Sequence, residues 1–362
     1  MTFETHADPS ILSAAVSRRN VLAGGLAAGL GLALAACSST QAGTGTASSA
    51  GGSASAGQRL FMTPKWTGFP YYEQARQGAQ KATDELKGKF TYAGADHPDV
   101  SQQSTTLQNF VTQQAQGIML AAIDANAVAP ALKAARAKGI KVVTFDADAA
   151  VEARDLFCNQ LTYPLAATTM LDAALANDPS GGKIAFVAAT PTAPNHKAQI
   201  ALMREQIKTN PRYKNFVPLA QTYFANDDDS QSYQIAVNLM QANPDLKYIV
   251  SPSAVSTPAA ARAVVARKAS GHVYATGFAL PSAMKQFIQD GSNKAFALWD
   301  PAQLGYIAAY ATHLLITGQL KPVKGTTFTA GSEGTYTVGD NGEVPINKPI
   351  IFTPNNIGQY NF

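Results

Sequence analysis

Short, continuous apolar runs recur along most of the chain and are bounded by polar residues, glycine or proline. They cover residues 60–62, 117–121, 141–145, 183–187, 248–250, 273–276 and 295–298, with 90–92 and 217–220 as weaker members. Runs without polar alternation are typical of strands that are buried on both faces, as in a parallel sheet. The pattern therefore predicts parallel β-sheet through most of the chain.

Amphipathic stretches with helical periodicity lie between these runs. They cover residues 71–86, 101–114, 127–137, 165–176, 196–209, 230–241, 258–268, 282–290 and 302–316. Strict alternation of strands and helices predicts a doubly wound α/β architecture with right-handed crossovers. The rhythm occurs twice, over 59–159 and 183–298, which predicts two Rossmann-like lobes. The tail after Gly318 is rich in Gly, Thr, Pro and Asn and is predicted to form loops and short strands over one lobe.

The start of the chain has the layout of a bacterial secretion signal. The pair Arg18-Arg19 precedes an uncharged, small and apolar run over 21–36. A twin-arginine pair before such a run indicates export by the Tat route. The alternative is a single membrane anchor, but the run is shorter than the ~20 residues that a helix needs to cross the hydrocarbon core. We therefore predict a cleaved signal peptide over 1–36.

The segment after this signal fits an exported, anchored domain. Leu-Ala-Ala-Cys at the end of the run resembles a lipoprotein signal, which makes Cys37 the candidate lipidation site. The residues that follow are almost all Ser, Thr, Gly and Ala, so 37–58 is predicted to be a flexible tether. Cys158 is the only other cysteine. Once Cys37 is lipidated no internal disulfide is possible, and the fold must depend on its own core.

Composition excludes several function classes. The net charge of +4 is diffuse, without a basic stripe interleaved with aromatics, so nucleic acid is not an expected partner. The five histidines show no metal-ligand spacing, and neither a metal nor a cofactor is predicted.

Polar and aromatic residues follow the predicted strands at their carboxyl ends. They are Lys65, Trp66, Tyr71, Tyr72, Asp146, Asp148, Asn159, Gln160, Thr190, Asn195, His196, Pro252, Ser253, Ala254, Trp299 and Asp300. In open α/β sheets, ligands bind in the crevice beyond those ends. Carboxylates and amides form hydrogen bonds with adjacent hydroxyls, and aromatic faces cover apolar C–H surfaces. This combination indicates a binding site for a sugar-like molecule.

Each of these positions also has a purely structural interpretation. Asp146 is placed to cap a following helix, Trp299 to fill a core, and Asn195-His196 to form a helix cap with a surface histidine. The run 227–229 is interpreted as a helix cap followed by a solvated face. The joint placement of the polar positions at one edge favours the binding interpretation.

The chain resembles the periplasmic sugar-binding proteins of ABC importers, of the ribose-binding type. Within that type it is most similar to the branch of autoinducer-2-binding and rhamnose-binding proteins. The segments that carry the resemblance are Thr63-Pro64-Lys65, Gly78-Ala79-Gln80, residues 144–148, Asn159-Gln160, 251–254, 258–261, Gly277-Phe278, Leu298-Trp299-Asp300 and 356–362.

The resemblance implies a type I periplasmic binding protein: two lobes, joined by a three-strand hinge, that close over one ligand. The expected lobes are 59–160 plus 300–322 and 161–299 plus 323–362.

The resemblance also implies roles for individual residues. Lys65 matches a ligand-contacting lysine, Asp146 a hydroxyl-binding aspartate, and Pro252 and Ala254 positions whose backbone meets the ligand. The pair at Tyr71 and Tyr72 occupies the place of aromatics near the cleft, and Trp299 and Asp300 lie at the last hinge strand. Where autoinducer-2 binders carry an acidic residue and a glutamine, this chain has Asn195-His196. A pentose, deoxyhexose or short polyol is therefore as consistent with the sequence as autoinducer-2.

The resulting hypothesis is a monomeric, lipid-anchored solute receptor on the outer face of the cytoplasmic membrane, which delivers a small polyhydroxylated ligand to an ABC permease and performs no covalent chemistry. A second hypothesis is a receptor that presents its ligand to a signalling kinase. A third is an exported glycosidase with Asp146 and Asp300 as its carboxylate pair, but neither residue is marked as an acid. A DNA-binding regulator is excluded, because an export signal stands where its headpiece would be.

Overall fold

The computed structural model describes residues 57–360 and 362. The predicted signal peptide over 1–36, the lipidation site Cys37 and most of the predicted tether lie outside the described residues. Gln58, the last residue of that tether, already belongs to the fold, since its carbonyl accepts a hydrogen bond from the Lys89 amide at 2.7 Å. None of the described helices combines the length and the apolar character that crossing a bilayer requires.

Strands and helices alternate as the apolar pattern predicts. The strands are β1 (Arg59–Thr63), β2 (Lys89–Tyr92), β3 (Gly117–Leu120), β4 (Lys141–Phe145), β5 (Leu156–Asn159), β6 (Gly182–Ala188), β7 (Phe216–Phe224), β8 (Leu246–Ser251), β9 (Tyr274–Gly277), β10 (Phe296–Leu298), β11 (Thr327–Thr329), β12 (Thr335–Thr337), β13 (Glu343–Pro345) and β14 (Ile350–Phe352). The helices are α1 (Pro70–Glu85), α2 (Val100–Thr112), α3 (Ala129–Ala137), α4 (Tyr163–Asn177), α5 (Pro194–Thr209), α6 (Asp229–Ala242), α7 (Ser256–Ala266), α8 (Pro281–Gln289) and α9 (Pro301–Ile316).

The first sheet has six strands in the order β13-β5-β4-β3-β1-β2, and every pair in it is parallel. Its central strands β3 and β4 are buried on both faces apart from Lys141, which explains their continuous apolar sequence. Helices α1 and α9 pack together on one face of this sheet.

The second sheet contains the parallel strands β7-β6-β8-β9. An isolated bridge between Phe278 and Ala297 joins it to the antiparallel pair β10 and β14. The two parallel sheets with helices between successive strands confirm the predicted doubly wound α/β fold.

Three chain segments connect the two sheets: β5 to α4, β10 to α9, and β13 to β14. Their number matches the predicted three-strand hinge. One strand departs from the expected lobe boundaries, because β13 pairs with β5 in the first sheet although 323–362 was assigned to the second lobe. The tail therefore runs along the first sheet before β14 reaches β10.

Close packing of α1 on α9 depends on two glycines. A Cβ atom on Gly78 would lie 1.8 Å from the Ala302 carbonyl oxygen, and one on Gly305 would lie 1.9 Å from that of Ala75. Each helix thus places a glycine against the backbone of the other, which allows the two helices to pack closely.

Replacing Gly305 by alanine is expected to reduce the free energy of unfolding. Overpacking costs up to about 3 kcal/mol, and the helix preference of alanine returns about 1 kcal/mol, so we expect a net loss of about 1–2 kcal/mol in urea unfolding followed by circular dichroism. Gly358→Ala is the control, because nothing lies within 4 Å of the added Cβ there. Equal stability of the two variants would contradict this packing argument.

Candidate functional site

A cavity lies where the carboxyl ends of strands from both sheets meet. Lys65 follows β1 and Asp146 follows β4 of the first sheet, whereas Pro252 follows β8 of the second. The complete lining is Lys65, Trp66, Phe69, Tyr71, Tyr72, Asp146, Asn195, His196, Gln199, Asp227, Pro252, Ser253, Ala254, Val255, Phe278, Leu298 and Trp299. Most of the residues predicted from strand ends are thus brought together around one space.

The cavity is small. It offers about 40 Å³ to the centres of water molecules. A sphere of that volume, enlarged by the radius of water, encloses roughly 180 Å³, the space of about six water molecules. Drug-sized pockets begin near ~300 Å³. The space therefore fits one small ring or a short chain, not an oligomer.

Asp146 is the centre of the first-sheet wall. Its Oδ1 accepts a hydrogen bond from the Tyr71 hydroxyl and its Oδ2 accepts one from the Tyr72 hydroxyl, both at 3.0 Å. Lys65 Nζ lies 3.8 Å from Oδ2. Burial raises the pKa of this carboxyl, while Lys65 and the two tyrosines act in the opposite direction. Asp146 caps no helix, so its structural interpretation as a cap does not hold.

Asp146 and the aromatic residues form one connected network. The Trp299 Nε1–H donates to the Tyr71 hydroxyl oxygen at 3.0 Å, and the two rings are perpendicular. Phe278 packs edge-on against Trp299 with ring centroids 4.8 Å apart. On the other side, Trp66 stacks on Phe69 at 5.0 Å. The network supplies apolar faces beside a buried carboxylate.

The first turns of α5 form part of the second-sheet wall. Asn195 and Gln199 are four residues apart and therefore share a face of the helix. Both are buried, as is His196, and the N-cap residue is Ala193, so the interpretation of Asn195-His196 as a cap with a surface histidine is wrong.

The protonation state of His196 follows from its surroundings. Burial, with a smaller contribution from Lys65, holds its pKa well below the ordinary value. The imidazole is therefore neutral at pH 7. Because Nδ1 accepts the Ala189 amide hydrogen at 3.2 Å, the proton is assigned to Nε2. His196 thus has an N–H donor available on the side of the ring opposite Ala189.

A second carboxylate, Asp227, was not among the predicted binding residues. Asp228 caps α6 by accepting from the Gln231 amide at 2.7 Å, as the charge run suggested. Asp227 instead lines the cavity and accepts a hydrogen bond from Ser253 Oγ at 2.5 Å. The signal that could have found it is its place just after β7, at the same sheet edge as the other positions. Gln199 was also missed, although it lies one helical turn beyond Asn195.

Five predicted residues lie outside the cavity lining, namely Asp148, Asn159, Gln160, Thr190 and Asp300. Asn159 Nδ2 donates to Glu343 Oε1 at 2.7 Å. Asp148 forms a bidentate ion pair with Arg154, with contacts of 2.7 and 2.6 Å. Asp300 caps α9 by accepting from the Ala302 amide at 2.8 Å. Gln160 is buried behind the cavity, where its Nε2 donates to the Asp146 carbonyl at 3.1 Å. These contacts therefore support the scaffold around the site. No group of acidic, histidine or cysteine side chains in the described part of the chain could hold a metal ion.

Comparison with known proteins identifies the architecture. The profile of a family described as periplasmic binding protein domain matches residues 60–320. A sugar ABC transporter structure from Actinomyces odontolyticus is 39% identical, with a TM-score of 0.71, and the match covers 84% of this chain and 98% of that one.

Two further structures match over the same share of this chain. An ABC transporter solute-binding protein from Clostridium phytofermentas with bound L-rhamnose is 28% identical, with a TM-score of 0.79, over 84% of this chain and 98% of that one. LsrB from Clostridium saccharobutylicum in complex with AI-2 is 27% identical, with a TM-score of 0.77, over 84% of this chain and 100% of that one.

The buried, neutral His196 predicts a pH dependence of stability. Below the ordinary pKa of 6.5 the unfolded chain binds a proton at this histidine and the native state does not, so stability falls as the pH falls. The loss is about 1.4 kcal/mol for each pH unit below 6.5 through which the native imidazole stays neutral. In urea unfolding, His196→Gln should lack this part of the decline. His272→Gln, at an exposed histidine, should retain it. Identical pH profiles for wild type and His196→Gln would contradict this assignment.

Proposed function

Because the chain belongs to the periplasmic binding protein domain family, we propose that it is the solute receptor of a sugar ABC importer. In this proposal it encloses one small sugar, deoxysugar or polyol between its two lobes and delivers it to a membrane permease. The observation that carries the proposal is the small cavity in which Asp146, Lys65 and aromatic rings surround a space for one small ring. The chain is a binding protein and not an enzyme.

The chemistry of the cavity supports a polyhydroxylated ligand. Asp146 offers a charged acceptor, and the Lys65 ammonium beside it offers a charged donor, so adjacent hydroxyls can bond to both. Trp66, Phe69 and Trp299 provide apolar faces for the C–H side of such a molecule. Polar groups placed among aromatic ones around one small space are typical of small-molecule recognition.

The relatives support the same class of ligand. One contains L-rhamnose and another contains AI-2. Asn195 and His196 present amide and imidazole groups in the cavity. A pentose, deoxyhexose or short polyol is therefore as compatible with this wall as AI-2.

The proposal extends to the setting of the protein in the cell. The signal over 1–36, the lipid at Cys37 and the tether over 37–58 would hold the two lobes at the outer face of the cytoplasmic membrane. Ligand contacts from both lobes are complete only in the closed form, so ligand shifts the population toward closure. The closed, monomeric receptor then docks on the permease.

Isothermal titration tests the proposal with a panel of L-rhamnose, D-arabinose, D-fucose, D-ribose, short polyols and AI-2. We expect one class of ligand to bind with micromolar or tighter affinity, about −8 kcal/mol or better, and without turnover. No heat of binding across the whole panel would contradict a sugar receptor.

Substitution of Asp146 tests the site itself. Asp146→Asn removes the charge from the hydrogen bonds to ligand hydroxyls and should weaken binding by about tenfold to a hundredfold. Asp148→Asn is the matched control: Asp148 pairs with Arg154 outside the cavity lining, so this change should lower the melting temperature while leaving affinity within about twofold. Unchanged binding by Asp146→Asn would remove this residue from the site.

A further inference from the structure

Asp227 is held in the cavity by an uncommon backbone conformation. It lies between β7 and α6 with φ of 51°, and the preceding Asn226 has φ of 54°, so both occupy the left-handed region. That conformation is rare outside glycine and costs free energy unless the surroundings fix it. Ser253 fixes it from the neighbouring loop through the 2.5 Å hydrogen bond to Oδ1. Helix capping does not need Asp227, because Asp228 performs it.

The wall around Asp227 contains acceptors that lack donors. Asn195 and Gln199 are 4% and 1% exposed. Among the described residues, no hydrogen-bond partner lies within reach of Asn195 Oδ1 or Gln199 Oε1. Both oxygens are enclosed by the protein, so on this side of the cavity the Asp227 carboxylate is an acceptor that a bound molecule can reach.

The two carboxylates that line the cavity differ in their hydrogen-bonding and charged partners. Its charged lining residues are Lys65, Asp146 and Asp227, since His196 is neutral. Lys65 lies beside Asp146, and both tyrosine hydroxyls also point at Asp146. Asp227 has the Ser253 hydroxyl as its hydrogen-bond donor among the described side chains. A ligand carboxylate or phosphate would therefore meet the Asp227 carboxylate on this wall.

We propose, on the premise that the cavity takes a sugar or polyol, that Asp227 is a specificity-determining ligand contact. Its carboxylate forms the acceptor part of the cavity wall and binds the hydroxyl hydrogens of an uncharged ligand. The same wall rejects the carboxylate-bearing analogue of that ligand. Lys65 disfavours a cationic ligand, because its ammonium already lies beside the Asp146 carboxylate.

Titration of wild type and Asp227→Asn tests this assignment. The probes are L-rhamnose, D-arabinose, D-fucose, D-galactose, D-galacturonate and D-galactosamine. Wild type should bind an uncharged member tightest and D-galacturonate at least tenfold more weakly than D-galactose. Asp227→Asn should bind the preferred sugar about tenfold to a hundredfold more weakly and should narrow the gap between D-galactose and D-galacturonate. Asp229→Asn, an exposed partner of Arg262 two residues away, should match wild type.

The outcomes separate this inference from the proposed function. If no probe binds wild type, the sugar-receptor proposal itself fails. If an uncharged sugar binds wild type but Asp227→Asn binds it equally well, or if a charged probe binds wild type tightest, the assignment of Asp227 is overturned and the receptor proposal stands. Should Asp227→Asn melt well below wild type, Asp227→Gly gives the same test, because glycine adopts the left-handed conformation of this position and removes the carboxylate. Weaker sugar binding then supports the assignment, and unchanged binding overturns it.

Discussion

A carboxylate buried between two sheets must have compensating partners, and Asp146 obtains them from a different part of the chain. Desolvation disfavours its charged form. Lys65, Tyr71 and Tyr72 oppose this effect, and all three belong to the β1–α1 segment. Tyr71 in turn accepts from Trp299, which follows β10 of the second sheet. One buried charge thus connects the two sheets at the place where the cavity forms.

The scaffold positions this network through close backbone contacts. Helix α1 begins with the tyrosine pair, and α9 begins just after Trp299 and Asp300. Gly78 and Gly305 allow these helices to approach closely, which fixes the position of the Tyr71 backbone relative to that of Trp299. Gly277 acts similarly in the second sheet: its φ is 122°, and a Cβ there would lie 1.9 Å from the Ser251 carbonyl oxygen. This approach brings Phe278 against the Trp299 ring.

The two walls of the cavity have different chemical characters. In the first-sheet wall, Asp146 accepts hydrogen bonds from Tyr71 and Tyr72 and forms an ion pair with Lys65. The α5 wall carries the side-chain amides of Asn195 and Gln199 and the neutral imidazole of His196. Under the proposed function, a molecule that bonds to both walls and packs on the aromatics would stabilise the closed arrangement.

The sequence by itself determined the alternating strands and helices, because strands buried on both faces need continuous apolar runs and surface helices need amphipathic ones. It also determined that Lys65, Asp146, Asn195 and Pro252 face one crevice, because the carboxyl ends of parallel strands share an edge.

Only the tertiary structure decided which of several similar residues, adjacent in the sequence, line the cavity. In the run 227–229, the left-handed turn directs Asp227 to the cavity while Asp228 caps a helix and Asp229 pairs with Arg262. Asp148 differs from Asp146 because Arg154 captures it. The place of β13 beside β5 was likewise beyond the sequence, because three residues carry no local signal for a pairing partner nearly two hundred positions away.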